Sequence, residues 1–457
     1  MAQRTKNRKK KSSRKMSTLT IQNPNAAGID IGSTEHWVAV RPDQHEQPVR
    51  CFQSFTKDLN ELADWLFDCD VTTVAMESTG VYWIPLFQIL DERGFEVLLV
   101  NAHKVKNVSG RKDDESDCEW IRKLHSYGLL QGSFQPEDNI RALRSYLRDR
   151  DTLVSCCASH VQRMQKALTQ MNLQLHHVIS DITGVTGMNI IRAIVDGERN
   201  PQLLAAYRDK RVKASKDTIV KALEGNYLNE HLSSLKRYLQ LYDFYQSQIE
   251  DCDRQIEDLL KTFPSLDDCP TDITDADKPT TRRKKKTANS PKFDVEEYIL
   301  HITGVDLFAV DGLGANNVLG IISETGLDMS KWKTEKHFTS WLRLSPNNKI
   351  SGGKVISHHT QKTNSRANKL FRLAAQSLAN SNSALGAFYR RLRYRVGAPK
   401  AIVATARKLA IIFYRMMYFK IEYRDIGAEQ YELKYRTNQI KYLEKKAQAL
   451  GLKLVKS

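Results

Sequence analysis

The chain of 457 residues is 41% hydrophobic and 27% charged, with a formal net charge of +17. That is the composition of a globular protein of two or three domains, and it excludes wholesale disorder and a collagen-like fold. No apolar run approaches the roughly 18 residues of a membrane span, and the basic N-terminus lacks the apolar stretch of a secretory signal. Seven cysteines (Cys51, Cys69, Cys118, Cys156, Cys157, Cys252 and Cys269) form no CxxC pair. An odd count without such spacing implies reduced thiols in a cytoplasmic compartment rather than a zinc ribbon or a disulfide framework.

In chain order, residues 1–18 read as a basic disordered arm, with eight Lys/Arg and no acid among the first fifteen. Residues 19–135 alternate strand and helix signals. An apolar strand at 26–40 is broken at Gly32 and Ser33, and a second strand follows at 48–55. The 56–69 stretch sets Leu59, Leu62, Leu66 and Phe67 at helical spacing. A β-branched run at 71–78, a helix at 83–94 closed by Gly94, a buried strand at 95–102 and a helix at 114–129 complete the series. This order predicts a layered α/β domain with a mostly parallel sheet.

Residues 136–263 have another period. Leu147, Val154, Val161, Leu168 and Leu175 lie seven apart, as do Leu228, Leu235, Tyr242, Ile249, Ile256 and Phe263. Such spacing predicts two long coiled-coil helices, joined through an insertion at 176–227 that can reverse the chain. They pair within the chain or between subunits. Residues 264–293, with four prolines and an acidic and then a basic run, read as a flexible linker. Residues 294–457 read as a predominantly helical domain. From 331 onward there are 27 Lys/Arg against 6 Asp/Glu, and between Lys336 and Ile421 there are 17 Lys/Arg and no acid. Residues 16–330 are left at −12. A long stretch of one sign is the footprint of a polyanion, most simply DNA or RNA.

Four carboxylates stand out. Asp30 lies within an apolar strand, where an acid is costly without a partner. Glu77 ends another strand of the same sheet. Asp114 and Asp117, at i and i+3 near a helix start, share one face; Asp113 and Glu115 are their near competitors. Converging carboxylates repel unless a cation neutralises them, and oxygen donors suit Mg²⁺ or Mn²⁺ in phosphoryl transfer.

An Asp on the first strand, a Glu on a later strand and a helical pair of Asp resemble the ribonuclease H/RuvC-like nuclease fold. GIDIGSTEHWVAV, VAMESTGVYWIPLFQIL and NAHKVKNVSGRKDDESDCEWIRKL resemble the DEDD-type transposases of the IS-one-ten/IS-eleven-eleven insertion-sequence family. In that family's third block a Thr and an Ala stand where this chain has Asp113 and Cys118, while Lys112, Asp114 and Asp117 match. The fold class so implied is α/β plus α: a RuvC-like domain, coiled-coil helices and a helical transposase domain with a serine nucleophile.

Further on, Gly312-Leu313-Gly314 precedes a helix, a turn that can offer backbone N–H groups to a phosphate. Leu344-Ser345-Pro346, Ser351-Gly352-Gly353-Lys354 and the basic run Lys362–Arg372 resemble the family's C-terminal blocks, with Arg343 where a Gly is usual. The resemblance implies that Ser351 is the nucleophile joined covalently to DNA, with Ser345 and Ser357 as alternatives. Lys349, Lys354, His358, His359 and Arg366 could lower its pKa and stabilise the phosphorane. Lys362, Lys369, Arg372, Arg390, Arg391, Arg393 and Arg395 add candidate nucleic-acid contacts. The resemblance also implies a non-coding bridge RNA pairing with double-stranded donor and target DNA, and Mg²⁺ (or Mn²⁺) on the four acids. It implies homo-oligomers as well, a dimer through the coiled coil and a tetramer on synapsis, with the acids of one subunit serving Ser351 of another. A site-specific DNA invertase, a plain RuvC-like nuclease and a non-enzymatic nucleic-acid scaffold are the rival readings.

Overall fold

The computed structural model describes residues 20–101, 114–264, 289–357 and 359–453, without the side chains of Asp114, Glu115 and Ser116. The basic arm, Lys112, Asp113, His358 and most of the 264–293 linker lie outside the described residues. The chain divides into two compact units, Met1–Gln135 and Pro136–Ser457. Among the described residues, no helix is long and apolar enough to cross a membrane.

In the first unit β1 (Ala26–Ile31) turns back as β2 (Glu35–Ala39) and β3 (Val49–Gln53). Helix α1 (Thr56–Asp68), β4 (Thr73–Glu77), α2 (Trp83–Glu92), β5 (Glu96–Val100) and α3 (Asp114–Ser126) follow. The sheet order is β3-β2-β1-β4-β5. The β1–β4 and β4–β5 pairs are parallel, and the β1–β2 and β2–β3 pairs are antiparallel. The sheet is therefore half parallel rather than mostly so. The short turn at Gly32–Thr34 can join only antiparallel strands, whereas the helical crossovers α1 and α2 set β4 and β5 parallel to their neighbours.

One face of the sheet, through Ala27, Ile29, Ile31, Val74 and Met76, packs on α1 and α2 in a core that includes Leu62, Leu66, Leu86 and Leu90. The opposite face belongs to α3, where Ala75 and Val100 bury Ile121. Gly28 makes this contact a backbone-to-backbone one: a Cβ there would lie 2.2 Å from the Arg122 nitrogen and 2.4 Å from the Cys118 carbonyl oxygen. A glycine inside a strand marks just such an approach. At the other end of α3, buried His125 bonds through Nε2 to the Thr73 hydroxyl at 2.9 Å. Asn23 Nδ2 donates to the His125 carbonyl at 2.8 Å.

The second unit is built on α4 (Asp138–Gln170) and, beyond four short helices, α9 (Asn229–Lys261). Each has 33 residues, about 50 Å of helix. The short helices are α5 (Leu175–Val178), α6 (Val185–Val195), α7 (Pro201–Ala205) and α8 (Lys216–Ala222), and they form a cap sharing one core with Met164, Leu168, Leu235 and Leu239. Arg150 meets Asp253, Gln246 reaches Cys157 and His160 stacks on Tyr245, so α4 and α9 run antiparallel as a hairpin within one chain. Of the heptad positions, Leu168, Leu235, Ile249, Ile256 and Phe263 are buried, Leu147, Val154, Val161 and Tyr242 are half-buried, and Leu228 is exposed.

The Arg150–Asp253 pair is itself buried, at 5% and 2% side-chain exposure. Arg150 Nε donates to Asp253 Oδ1 at 2.5 Å, and a terminal nitrogen donates to Oδ2 at 3.3 Å. The other terminal nitrogen donates to the Asn289 carbonyl, and the Lys292 N–H donates to Asp253. Residues 289–293, expected to belong to the flexible linker, are thus tied down by two hydrogen bonds to one ion pair, and Phe293 is buried.

Thereafter come α10 (Val295–Thr303), α11 (Ala315–Thr325), α12 (Glu335–Trp341), a hairpin of β6 (Lys349–Ser351) and β7 (Lys354–Ser357), α13 (Arg366–Ser377), α14 (Ala384–Val396), α15 (Ala398–Phe419) and α16 (Gly427–Ala449). Phe338, Phe371 and Phe413 are fully buried and stack together where α12, α13 and α15 meet. Arg144 of α4 donates to the Ser323 and Glu324 carbonyls at the end of α11, where a cation offsets unpaired carbonyl charge.

Two measurements check these contacts. Breaking a buried ion pair strands a charge, so Asp253→Ala should lower the unfolding free energy by about 3–5 kcal/mol. The double replacement Arg150→Met/Asp253→Leu should cost much less, as read from urea denaturation midpoints; equal costs would contradict the assignment. Burial holds the His125 imidazole well below its ordinary 6.5, at about 4. Between these pH values the unfolded chain takes up a proton that the folded chain refuses. Stability from this site is therefore intact above about pH 6.5 and is lost as pH falls towards 4. His125→Gln should lose less stability than the parent between pH 7.5 and 4.5.

Candidate catalytic site

The acids are placed by α3. It runs antiparallel to β1 and β4, since His125 lies at the start of β4 while Arg122 and Cys118 lie over Gly28 in mid-strand. From Thr73 to Glu77 the strand advances about 13 Å. From His125 back to Asp117 the helix advances about 12 Å. Asp117 is therefore level with the C-terminal end of β4, and Asp114 starts the helix one turn beyond it. Ile29 pairs with Met76 in the parallel ladder, so Asp30 and Glu77 are the next neighbours across it. Two residues on from Gly28 and Ala75, both carboxylates share the α3 face. The contact also shows in Cys118: burial first, with the Asp30 carboxylate adding to it, pushes this thiol up to about 12.

Glu77 is 4% exposed, and the Thr79 hydroxyl donates to its Oε1 at 3.0 Å. Asp30 and Asp117 are half-buried. Among the described residues, no group of three or more His, Cys, Asp or Glu is drawn together closely enough to hold a metal ion. The donor set, all carboxylate and gathered at one end of one sheet face, fits a hard divalent cation that binds through oxygen. Thr79, Gly28 and the His125–Thr73 bond are parts that the sequence reading missed. A hydroxyl two residues after the strand-ending Glu, and a Gly inside an apolar strand, were the signals for the first two.

Ser351 stands at a hairpin corner. Gly352 and Gly353 have φ of 55° and 77°, with no atom within 4 Å of a Cβ built on either. Their glycine identity follows from the turn alone, in which both central residues take positive φ. Ser351 is paired across the ladder with Lys354. Paired residues point to the same face, so the hydroxyl and the ammonium share one side of the hairpin. Ser351 is exposed. Ser345 is half-buried and hydrogen-bonded to Thr339 at 3.1 Å, and the half-buried Ser357 accepts from the His359 N–H at 3.4 Å. Arg343 has a φ of 56°, which accounts for the Gly usual there, and its guanidinium donates to Gln361.

The other candidates separate by what they touch. Gly312 has a φ of 91°, and a Cβ there would lie 2.6 Å from the Ala374 carbonyl oxygen, so packing against α13 already requires a glycine. Gly314 caps α11 with open space around it. Arg366 pairs with Asp151 and lies 4.0 Å from Glu324, joining α13 to α4 and α11. Arg390 donates to the Ala379 and Ser381 carbonyls. Arg391 lies 3.5 Å over the Tyr435 ring and bonds the Tyr431 hydroxyl, tying α14 to α16. Lys349, Lys354, Lys362, Lys369, Arg372, Arg393 and Arg395 are exposed. The acid-free stretch thus contains cations of two kinds, some bound into the fold and some facing solvent.

Two family profiles match the chain. One, described as a transposase of the DEDD IS110 type, covers residues 27–173. The other, described as Transposase IS116/IS110/IS902 family, covers residues 306–390. No curated protein matches the chain. The first match spans the sheet, its acids and α4, and the layered α/β unit is consistent with a RuvC-like fold; the second spans α11 through the Ser351 hairpin to α14. Acids that suit divalent-metal phosphoryl transfer and an exposed basic surface accord with both, and the chain belongs to the IS110 family of DNA transposases.

Proposed function

We propose that this transposase cuts and rejoins donor and target DNA through a covalent phosphoserine intermediate on Ser351. The supporting observation is the hairpin: of the three candidate serines, Ser351 alone is exposed, with Lys354 directly across the ladder. Its Oγ forms an ester to the scissile phosphorus while the bond from that phosphorus to one deoxyribose oxygen breaks. The proton lost by the serine balances the one gained by the departing sugar hydroxyl. Lys354 offers its charge to the non-bridging oxygens as negative charge builds on them. A tight turn holds Oγ at a fixed height above the hairpin, so little ordering remains to be done on attack.

Asp30, Glu77, Asp114 and Asp117 would hold Mg²⁺, which when bound polarises phosphate oxygens and steadies a developing alkoxide. Glu77 would be oriented for this by the Thr79 hydroxyl on Oε1. The exposed cations Lys362, Lys369, Arg372, Arg393 and Arg395 would follow the phosphate backbone. Guidance by a bridge RNA, and assembly as a dimer and a synaptic tetramer, belong to the same reading and rest on the resemblance of the sequence blocks.

The ester conserves the energy of the broken phosphodiester, so a DNA hydroxyl can reverse it without ATP. Quenching the full-length protein, its RNA and labelled donor DNA with detergent should trap a protein–DNA adduct, and mass spectrometry should place it on Ser351. Ser351→Ala should lose adduct and cleavage together, by a factor of 10³ or more, and still bind nucleic acid. Ser345→Ala and Ser357→Ala should keep the adduct. Cleavage by Ser351→Ala, or an adduct on another residue, overturns the mechanism.

A further inference from the structure

The cap between the hairpin helices carries a surface that the reading above does not use. Its loop between α7 and α8 holds Arg208, Lys210, Arg211 and Lys213 against one acid, Asp209, and α8 opens with Lys216 and Asp217. It lies within residues 16–330, whose net charge is −12, and the adjoining helices α4 and α9 mix both signs. A solvated face ordinarily mixes them.

The loop is fixed from within. Arg208 is half-buried and turned back on it, donating from Nε to the Ala214 carbonyl at 2.7 Å and from a terminal nitrogen to the Val212 carbonyl at 2.6 Å. The Asp209 N–H donates to the Thr186 hydroxyl at 3.0 Å, anchoring the loop to α6. The Asp209 carboxylate accepts from the Arg211 N–H and Nε, both at 2.9 Å. Ser215 caps α8 by accepting from the Thr218 N–H at 3.2 Å. One arginine therefore serves as the internal brace, and the acid is matched by the other. Lys210, Lys213 and Lys216 are exposed. Immediately before the loop, the Tyr207 ring is 46% exposed.

Three ammonium groups on a braced loop repel one another, and phosphates relieve that repulsion with little ordering of the backbone. An exposed aromatic ring beside them offers a stacking face, which only an unpaired base can use. We propose that this loop binds an unpaired nucleic-acid strand, with Lys210, Lys213 and Lys216 on its phosphates and Tyr207 against a base. The proposal rests on the chain being a nucleic-acid-acting enzyme but uses neither the acids nor Ser351. Its chemistry is shared by the loops of a folded RNA and by displaced single-stranded DNA.

The test is fluorescence anisotropy with the full chain between 50 and 300 mM salt (roughly the range where counterion release is resolved). The probes are an unstructured RNA, the same sequence as single-stranded DNA, and the corresponding DNA duplex. The triple variant Lys210→Gln/Lys213→Gln/Lys216→Gln should flatten the slope of log K against log[salt] by about 2 on an unpaired probe, at roughly 0.7 per phosphate contact. Tyr207→Ala should weaken binding to that probe by about fivefold or more with the slope unchanged, since stacking releases no counterions. The unpaired probe that shows both effects, RNA or DNA, identifies the source. An unchanged slope in the triple variant, or an equal change on the duplex, overturns the proposal while leaving the Ser351 mechanism standing. Absence of salt-dependent binding by the parent chain to any probe overturns both.

Discussion

The placing of α3 on the sheet that carries Asp30 and Glu77 depends on a contact that has no side chain in it. At Gly28 the backbone of α3 lies against the backbone of β1, so close that a methyl group would overlap the Arg122 nitrogen. That separation, with the Thr73–His125 bond fixing the far end, sets both the height and the direction of α3. The positions of Asp114 and Asp117 follow from it: a helix antiparallel to two parallel strands delivers its first turn to their C-terminal ends. Burial of Cys118 beside Asp30 is a consequence of the same geometry, and it keeps that thiol protonated and inert.

In the second unit the corresponding element is the Arg150–Asp253 pair. It sets the register of two long helices and receives the chain at Asn289 and Lys292 as it returns to the C-terminal helices. The pair's worth lies less in net stabilisation than in register, because a slipped hairpin would bury both charges unmatched. Arg144, Arg148 and Arg366, gathered around Glu324, then join the hairpin to α11 and α13. Some of the positive charge that the sequence displays so plainly is therefore internal cement, and the functional surface is smaller than the count of Lys and Arg suggests.

The local elements were legible in the sequence because period and turn residues are local. The strands, α1, α2 and both heptad helices follow from spacing alone; Asp30 and Glu77 were marked by an acid interrupting or ending an apolar run, and Asp114 and Asp117 by their i, i+3 spacing near a helix start. What was not legible depends on distant partners. The antiparallel half of the sheet turns on a two-strand connection too short to cross over. The partner of a heptad seam cannot be read from the seam itself, and the seams of α4 and α9 face each other in one chain. Arg366, Arg390 and Arg391 look identical in sequence to Arg393 and Arg395, yet the first three find Asp151, backbone carbonyls and tyrosines of remote segments. Ser351 was marked by its Gly-Gly neighbour, but whether those glycines loosened the chain or tightened it was a question of φ.

Under the proposed function the four acids hold a divalent cation, and the helix-to-strand contact at Gly28 sets α3 and its two acids over the sheet. Mn²⁺ binding to the full-length protein, followed by the loss of the free-ion signal in electron paramagnetic resonance, tests it without any DNA or turnover. Binding should be lost in Asp30→Asn, Glu77→Gln and Asp117→Asn. It should also be weakened at least tenfold (about 1.4 kcal/mol) by Gly28→Ala, a change that touches no carboxylate but lifts α3 from the sheet. Parental Mn²⁺ affinity in both Gly28→Ala and Asp117→Asn would contradict the assembly described here.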